Sequence, residues 1–424
     1  MKLKTVSLVL FSLILGVGCS QRNDNQPQAN SGGASKQTKG NHQSKPSASP
    51  SGPSRDAVFK NLQVYFINGE NRGQDAKYLP LAEAMEKGIA RVNETGEVSN
   101  LTIENLSKTE YVFVNAGDIV KGGRQDRYLV NSLIVPPNSG KIDLASFCVE
   151  AGRWSQRGRE SAAHFSASMF TAPSSDIKLA AQYHMKQSLV WDGVAQSQAF
   201  YRIAITGRSA GSAATTSPQV ASTPTLPGIP SNPNPTVVDP VAGLPIGTGR
   251  AQVASLAVRT RLPQQAASIY ANFSVPGGST SLQLALENPK VQELVKEYAD
   301  HMDRQLATQK NPVGFAVAIN GKVVSADIYG QANLFKALWP KLINGAATEA
   351  VAKYDKNTEV KRLKQADFEA FLTNGKQESP VNKTLNEQTR LLTTKGDRHI
   401  LFETHDKRDS SNWIHRSYLA APKK

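Results

Sequence analysis

The 424-residue chain contains little cysteine and lacks most of the short motifs that identify a catalytic centre. Cys19 and Cys148 are its two cysteines, so a disulfide framework is excluded and the fold must be held by its apolar core. HExxH, CxxC and GxGxxG segments do not occur, and Walker-type spacing is also absent. The motifs of zinc proteases, dithiol redox sites, dinucleotide-binding folds and P-loops are therefore missing.

Acidic residues are also scarce relative to basic ones. There are 35 Asp and Glu against 49 Lys and Arg, which gives a formal net charge of +14. Such a balance suits an acidic partner, for example nucleic acid, an anionic membrane face or an acidic metabolite. However, the basic residues are scattered rather than grouped in runs, which is more typical of a solvated surface. We therefore expect no specific nucleic-acid binding.

The apolar run near the N-terminus, Val6 to Leu15, is too short to span a bilayer as a permanent helix. Lys2 and Lys4 precede it and the small residues of Gly16–Cys19 follow, so the segment resembles the leader and lipobox of bacterial lipoproteins. The resemblance implies cleavage before Cys19 and lipidation of that residue, and an ordinary cleaved signal peptide is the alternative. We expect a membrane-anchored lipoprotein of the cell envelope that faces the periplasm or the exterior.

Low-complexity stretches divide the rest of the chain. Residues 20–55 are almost devoid of apolar side chains, and residues 206–250 repeat Ser, Thr, Pro and Gly. Such segments bury too little apolar surface to offset the entropy of ordering. The predicted organisation is a lipoprotein signal peptide at 1–18, a disordered tether at 19–55, a β-rich part at 56–204, a disordered insertion at 205–262, a second part with helix, hairpin and helix at 263–355, and a C-terminal helix with short strands at 356–424.

Short apolar runs separated by Pro, Asn and Gly fill the region from Val58 to Glu150. One strand is predicted in AVFKNLQVYFING, a short helix after Pro80, and several more strands after it, including one from Arg127 to Val135. This spacing favours an antiparallel sandwich or a strongly twisted sheet. A polar loop and a single helix from Ile177 to Ala199 are expected to follow.

The last third of the chain carries the strongest local signals. Asn288-Pro289 begins an amphipathic helix, and Asn320-Gly321 between two apolar runs predicts a type I′ hairpin. Asn333 is predicted to cap a helix that kinks or restarts at Pro340, and a charged helix at Val360–Leu372 precedes three short strands. The predicted fold class is α+β, with an antiparallel β-sandwich-like sheet, packed helices and a disordered insertion.

Several blocks resemble the ARPP-1 domain family, which is named for its association with ADP-ribosylglycohydrolase and rhodanese-phosphatase proteins. The blocks are GD at 117–118, KGGRQDR at 121–127, VPPNSG at 135–140, FCVEAGRW at 147–154, GFAVAINGKVVSADIYG at 314–330 and LFKALWPKL at 334–342. The similarity covers about 58–154 and 280–354. It implies no particular reaction, and by context alone it suggests nucleotide or ADP-ribose-like ligands.

The candidate site lies in the stretch Gly117–Trp154. Within it, the glycine pair of Lys121–Arg127 can turn its N–H groups toward one point as an anion-binding nest, and the basic side chains around it would add donors. A tight hairpin with an internal ion pair is the alternative. The predicted ligand-binding residues are Lys121, Gly122, Gly123, Gln125, Arg127, Arg153 and Trp154.

A second group of polar side chains ends the same stretch. Cys148 and Glu150 lie two apart on a predicted strand and so share a face, and the carboxylate would raise the thiol pKa. We therefore interpret Cys148 as a packing residue. Glu150 with Arg153 is read first as a structural salt bridge, and Trp154 as a core or rim residue that is able to stack a base or sugar.

The C-terminal histidines form the main rival site. His399, Glu403 and His405 share one strand face, with His415 on a neighbouring strand, and such a set is able to bind zinc. The spacing matches no metal signature, so a polar sheet face is the preferred interpretation and neither a metal nor a cofactor is expected.

Three functions remain open at this point. The first is an exported, membrane-tethered domain that binds a small anionic ligand, such as a nucleotide or sugar phosphate. The second is a hydrolase that uses Glu150 or Asp126 as general base, with Arg127 or Arg153 stabilising charge. The third is a structural or interaction module of the cell envelope.

Overall fold

The alternation of apolar runs and turn residues produces 17 strands and seven α-helices in the described part of the chain. The computed structural model describes residues 55–72, 77–206, 280–373, 375–409 and 413–422, which all fall within one compact unit. The predicted signal peptide, Cys19, the tether up to residue 54 and the predicted insertion beyond residue 206 lie outside the described residues. Within those ranges, every helix is too short or too polar to cross a membrane.

The elements are numbered in chain order. The strands are β1 (Asp56–Phe59), β2 (Leu62–Asn68), β3 (Tyr78–Pro80), β4 (Ala90–Glu94), β5 (Asn100–Asn105), β6 (Tyr111–Val114), β7 (Asp118–Gly122), β8 (Arg127–Leu129), β9 (Leu133–Val135), β10 (Lys141–Cys148), β11 (Phe165–Thr171), β12 (Pro312–Ile319), β13 (Lys322–Tyr329), β14 (Val381–Thr384), β15 (Thr389–Lys395), β16 (His399–Asp406) and β17 (Trp413–Ala420). The helices are α1 (Leu81–Glu86), α2 (Ser175–Gln182), α3 (Gln187–Thr206), α4 (Leu282–Leu286), α5 (Pro289–Leu306), α6 (Ala332–Ala352) and α7 (Gln365–Leu372), and a 3-10 turn spans Lys407–Asp409.

The strands form three sheets. Eight strands have the order β1-β2-β12-β13-β17-β16-β15-β14, six have the order β11-β7-β8-β10-β5-β4, and three have the order β3-β6-β9. All pairs are antiparallel except β3 with β6. In the largest sheet β2 pairs with β12, so the first and second parts of the chain share one sheet. The α+β prediction is confirmed.

Helix α6 lies between the large sheets. It packs against β12 of the eight-stranded sheet, against β11 of the six-stranded sheet and against α3 and α5. Its Phe335 and Trp339 belong to an aromatic cluster with Phe66 and Phe315, and all four rings are buried. Aromatic pairs of this kind add to the stability that burial of apolar area provides.

The strongest local predictions are confirmed. Asn320 and Gly321 adopt φ values of 51° and 69° between β12 and β13, as a type I′ turn requires. The Asn288 side chain accepts a hydrogen bond from the N–H of Lys290 and caps α5, whose first residue is Pro289. These signals succeed because each depends on residues adjacent in the chain.

Several boundaries differ from the predictions. AVFKNLQVYF forms a hairpin of β1 and β2 whose turn places Lys60 at φ 51°, a conformation that lysine rarely adopts. The single strand predicted from Arg127 to Val135 is two strands, β8 and β9, which lie in different sheets. The helix predicted at 177–199 is two helices, α2 and α3, separated by a turn at which Met185 has φ 51°.

Two further differences concern elements that tertiary packing decides. Strand β11 is not predicted, because its sequence FSASMFT interrupts its apolar residues with Ser and Ala and follows a polar loop, and its pairing with β7 fixes its conformation. Helix α6 begins after Gln331 rather than at Asn333, and it continues through Pro340. Packing on several sides of α6 outweighs the backbone hydrogen bond that a proline removes. Beyond α7 there are four strands instead of three.

Candidate functional site

The turn between β7 and β8 requires glycine. Gly122 and Gly123 have φ values of 114° and 55°, and a Cβ atom on Gly123 would lie 2.3 Å from Cζ of Phe165. The N–H of Gly122 donates to Asp126 Oδ1 at 3.1 Å, and the N–H of Gly123 donates to the carbonyl of Ser161 at 2.9 Å. The backbone donors of the predicted nest therefore already bind acceptors of the chain itself.

Asp126 lies at the centre of a buried ion-pair network. Its carboxylate is fully buried and accepts two hydrogen bonds from Arg157, at 2.9 and 3.1 Å, and one from Arg153 at 3.4 Å. Ser281 Oγ donates to the same carboxylate at 2.9 Å and also accepts the N–H of Leu284, which caps α4. The network thus joins the first part of the chain to the residues that follow the segment 207–279.

Glu150 shares the two arginines with Asp126. Arg153 Nε donates to Glu150 Oε2 at 2.6 Å, and Arg157 Nη1 lies 3.7 Å from the same oxygen. Burial raises the pKa of Glu150 above its ordinary value and the charge of Asp126 adds to this, although the hydrogen bond from Arg153 opposes it. The predicted Glu150–Arg153 salt bridge is confirmed.

Arg127 is wholly buried but incompletely bonded. Its Nη1 donates to the backbone carbonyl and side-chain oxygen of Gln125 at 3.2 and 3.3 Å, and Nη2 lies 3.6 Å from Oε2 of Glu94. Within the described part of the chain, Nε and Nη2 donate no hydrogen bond. A buried donor without an acceptor is costly, so this guanidinium is an unusual feature of the structure.

Trp154 covers Arg127 from the solvent side. The centres of the Arg124 and Arg127 guanidinium groups each lie 5.6 Å from its ring centroid, within the range of cation–π attraction. The Trp154 side chain is 43% exposed, and Arg124 is exposed as well. Arg124, Arg127 and Trp154 are called the arginine–tryptophan rim below.

Two of the residues singled out in the sequence lie apart from the network. Lys121 Nζ pairs with Glu287 Oε1 at 3.1 Å, both being partly exposed. Cys148 is completely buried, and burial raises the pKa of its thiol to about 11, so the thiol stays protonated near neutral pH. The interpretation of Cys148 as a packing residue is confirmed.

The C-terminal histidines bind different partners. His399 Nδ1 contacts the carbonyl of Phe371 at 2.6 Å, and His405 pairs with Glu403, which also binds Arg416. Among the described residues, no group of three or more His, Cys, Asp and Glu side chains is arranged to hold a metal ion. These strands are largely buried rather than a solvent-exposed polar face.

The fourth C-terminal histidine belongs to a cluster that sequence reasoning missed. His415 Nδ1 lies 2.9 Å from Ser132 Oγ, and its Nε2 lies 3.1 Å from Asp327 Oδ1. All three residues are buried. A neighbouring ion pair joins Asp118 to Lys341 at 2.6 Å. No local signal reveals the cluster, because its members lie 283 and 88 residues apart along the chain.

Comparison with protein-family models identifies the chain. The model described as "ARG and Rhodanese-Phosphatase-superfamily-associated Protein domain" matches residues 53–223 and 260–419. The chain belongs to the ARPP-1 domain family. The ARPP-1 match is wider than the blocks found by inspection, because it includes β11, α2, α3 and the C-terminal strands with their histidines. Comparison with curated proteins and with solved structures gave no match.

Proposed function

We propose that this ARPP-1 protein is an exported domain, tethered to a membrane of the cell envelope by a lipid on Cys19, and that it binds a small anionic ligand at the arginine–tryptophan rim. The ligand class is nucleotide- or sugar-phosphate-like. The observation that supports this most strongly is the buried Arg127 guanidinium, whose Nε and Nη2 donate no hydrogen bond among the described residues, the ion pair of Nη2 with Glu94 being 3.6 Å long.

The unused donors of Arg127 favour binding of an anion. Leaving a buried donor unpaired costs about 1–3 kcal/mol, and more for a charged group. A phosphate or carboxylate oxygen placed against Nε and Nη2 would recover that cost through charge-assisted hydrogen bonds. The exposed face of Trp154 would stack a ring of the same ligand, and Arg124 would add a second cation at the rim.

The buried network supplies the rigidity that such a rim requires. Arg153 flanks Trp154 in the chain and binds both Glu150 and Asp126, so the rim loop is fixed to the β7–β8 turn. Because Trp154 covers Arg127, ligand entry requires the indole ring to move. Binding should therefore change the fluorescence of Trp154.

A fluorescence and calorimetric titration tests the proposal. Folded protein is titrated with AMP, ADP, ADP-ribose, a sugar phosphate and inorganic phosphate, and the same series is run on Trp154→Ala and Trp191→Ala. Trp191 is 37% exposed on α3 and has no place in the rim, so it is the matched control. We expect saturable binding that Trp154→Ala weakens at least tenfold and Trp191→Ala leaves unchanged. Absence of saturable binding by the wild type to every compound would refute the proposal.

The raised pKa of Glu150 favours a second candidate, a hydrolase that acts on the same class of ligand. The association in the family name suggests hydrolase-related chemistry, and Glu150 or Asp126 would be the general base, with Arg127 or Arg153 stabilising developing charge. This candidate requires turnover. Release of product from labelled ADP-ribose conjugates, lost in Glu150→Gln at unchanged melting temperature, would favour it over binding alone.

A further inference from the structure

The Ser132–His415–Asp327 cluster lies where three segments meet. Asp327 and Tyr329 share a face of β13, and β17 places His415 opposite Tyr329 and Ser417 opposite Asp327. Ser132 comes from the short connection between β8 and β9. The three side chains are therefore brought together by tertiary structure and not by a local motif.

The hydrogen bonds determine which imidazole nitrogen carries the proton. Burial opposes ionisation of Asp327, but the charge of Lys178 and hydrogen bonds from His415 and Ser417 lower the pKa of this carboxyl below its ordinary value. An ionised Asp327 accepts the proton of His415 Nε2 at 3.1 Å. In the neutral tautomer with its proton on Nε2, His415 accepts the hydroxyl proton of Ser132 at Nδ1, 2.9 Å away.

The surroundings hold the imidazole in this orientation. The ring of Tyr329 stacks on His415 with centroids 4.4 Å apart and an interplanar angle of 9°, and Phe113 meets it edge-on at 6.1 Å. The N–H of Ala116 donates to Ser132 Oγ at 3.0 Å. That donor occupies one lone pair of the oxygen and orients the hydroxyl, whose proton is directed at His415 Nδ1.

We propose that the cluster hydrolyses a small carboxylic ester. Ser132 is the nucleophile, His415 is its general base, and Asp327 orients the imidazole and stabilises its protonated form. This inference is independent of the proposed ligand site, because the arginine–tryptophan rim and the Asp126 network contribute no atom to the cluster. The order of roles along the chain is serine, aspartate and histidine, and the geometry defines them rather than a sequence motif.

The reaction balances with water as the second substrate. Ser132 Oγ bonds to the ester carbonyl carbon while its proton passes to His415 Nδ1. The tetrahedral adduct breaks the ester C–O bond, and the leaving alcohol takes that proton, which leaves acyl-Ser132. Water then gives a proton to His415 Nδ1 and its oxygen attacks the acyl carbon. The carboxylic acid departs as Ser132 Oγ regains the proton.

The burial of Ser132 limits the size of the substrate. Ser132 is 3% exposed, whereas its neighbour Asn131 and the hydrogen-bonded Ala116 are partly exposed. The hydroxyl thus lies close to the surface but beneath it. Entry of an ester therefore requires a local opening beside Asn131 and Ala116, and a small acyl group such as acetyl needs a smaller opening than a bulky one.

The test uses the full chain with p-nitrophenyl acetate and with diisopropyl fluorophosphate, followed by peptide mapping. We expect an adduct on Ser132 and ester hydrolysis that falls about 100-fold or more in Ser132→Ala. Ser146→Ala is the control, because Ser146 is also buried and its hydroxyl makes no hydrogen bond among the described residues. Asp327→Asn should lower hydrolysis and change its pH profile, which loss of packing alone would not do.

Two outcomes would contradict the proposed role of Ser132. Folded wild type that forms no Ser132 adduct with either reagent and hydrolyses the ester no faster than buffer would overturn the proposal, as would full activity in Ser132→Ala. If Ser132→Ala fails to fold, the position of the adduct on the wild type decides the question alone.

Discussion

Arg127 is the residue on which the ligand proposal depends, because its guanidinium has been taken out of water without a full set of acceptors. A buried charge that is poorly paired costs more than an apolar side chain of similar volume. A structure retains such a group at a stability cost when the group does something that an apolar side chain does not do. At Arg127 the proposed task is recognition of an anion.

Arg127→Met separates the two roles of this residue. The substitution keeps most of the volume and removes the charge, but it leaves the buried Glu94 carboxylate without its cation, so we expect a lower melting temperature together with loss of ligand binding. Calorimetric binding and thermal unfolding measure the two quantities on the same samples. A lower melting temperature with binding retained would assign Arg127 to a purely structural network.

Gly123 offers a stability test at the same turn. In Gly123→Ala the new Cβ atom would lie 2.3 Å from Phe165 and 2.9 Å from Glu94, in addition to the strain of φ 55°. Gly140→Ala has a similar φ of 62° with no atom within 4 Å of the new Cβ, so it carries the backbone strain alone. We expect about 1 kcal/mol lost in Gly140→Ala and at least about 2 kcal/mol in Gly123→Ala by urea unfolding. Equal losses would show that the Phe165 contact is easily relieved.

At the scale of elements, the N-terminus of α4 contributes more to the stability of the fold than a helix of five residues would suggest. Ser281 caps α4 and also donates to the buried Asp126, whereas Asn288 only caps the longer helix α5. Loss of an N-cap costs about 1 kcal/mol, and loss of a bond to a buried carboxylate adds about 1–3 kcal/mol. Ser281→Ala should therefore lower the free energy of unfolding more than Asn288→Ala, and the reverse order would contradict the network described for Asp126.

Three buried carboxyl groups on β13 and β16 make the stability of the fold depend on pH. Burial raises the pKa values of Asp327, Glu403 and Asp406, but cationic and hydrogen-bonding partners outweigh it and lower all three below the ordinary 3.8 for Asp and 4.5 for Glu. At these three groups the unfolded chain binds more protons than the folded chain below about pH 5, so they make the free energy of unfolding fall as pH decreases, whereas the raised pKa of Glu150 acts in the opposite direction. Urea midpoints between pH 6 and pH 3 measure this. Replacement of Asp327 by Asn should flatten the slope, and an unchanged slope would contradict the assignment for that residue.

Some of the elements were predictable from the sequence and others were not. Asn320-Gly321 and Asn288-Pro289 were predictable because turn and cap chemistry depends on adjacent residues. The Lys60 turn and the helical Pro340 were not predictable, because packing imposes conformations that these residues disfavour. Strand β11 shows the same limit, since its pairing partner supplies a conformation that its composition does not indicate.

At the scale of the whole molecule, the two family segments form a single structure. β2 pairs with β12, and Asp126 accepts a hydrogen bond from Ser281 across the intervening segment. The polar stretch Gly117–Trp154 and its Glu150–Arg153 salt bridge were predictable from the sequence, but the ion-pair partners outside the stretch were not. The contacts of Arg157 and of the Ser132–His415–Asp327 cluster could not be predicted from the sequence, because residue spacing carries no information about which separate segments meet.

Cys19 gives the prediction for the protein in its cell. If a lipid tethers the chain, Cys19→Ser should abolish incorporation of a labelled fatty acid and move the protein from the membrane to the soluble fraction. Cys148→Ser is the control, since Cys148 is buried in the folded domain. Labelling that persists in Cys19→Ser would exclude lipidation at this position.

The most direct test of the proposed ligand site is an isothermal titration of ADP-ribose into the wild type, Arg124→Ala and Arg91→Ala. Both arginines are exposed, and only Arg124 contacts Trp154, so neither substitution should change the melting temperature. We expect binding by the wild type and Arg91→Ala, with at least a tenfold weaker affinity in Arg124→Ala. Equal affinity in all three proteins, or no heat of binding in the wild type, would contradict ADP-ribose recognition at the arginine–tryptophan rim.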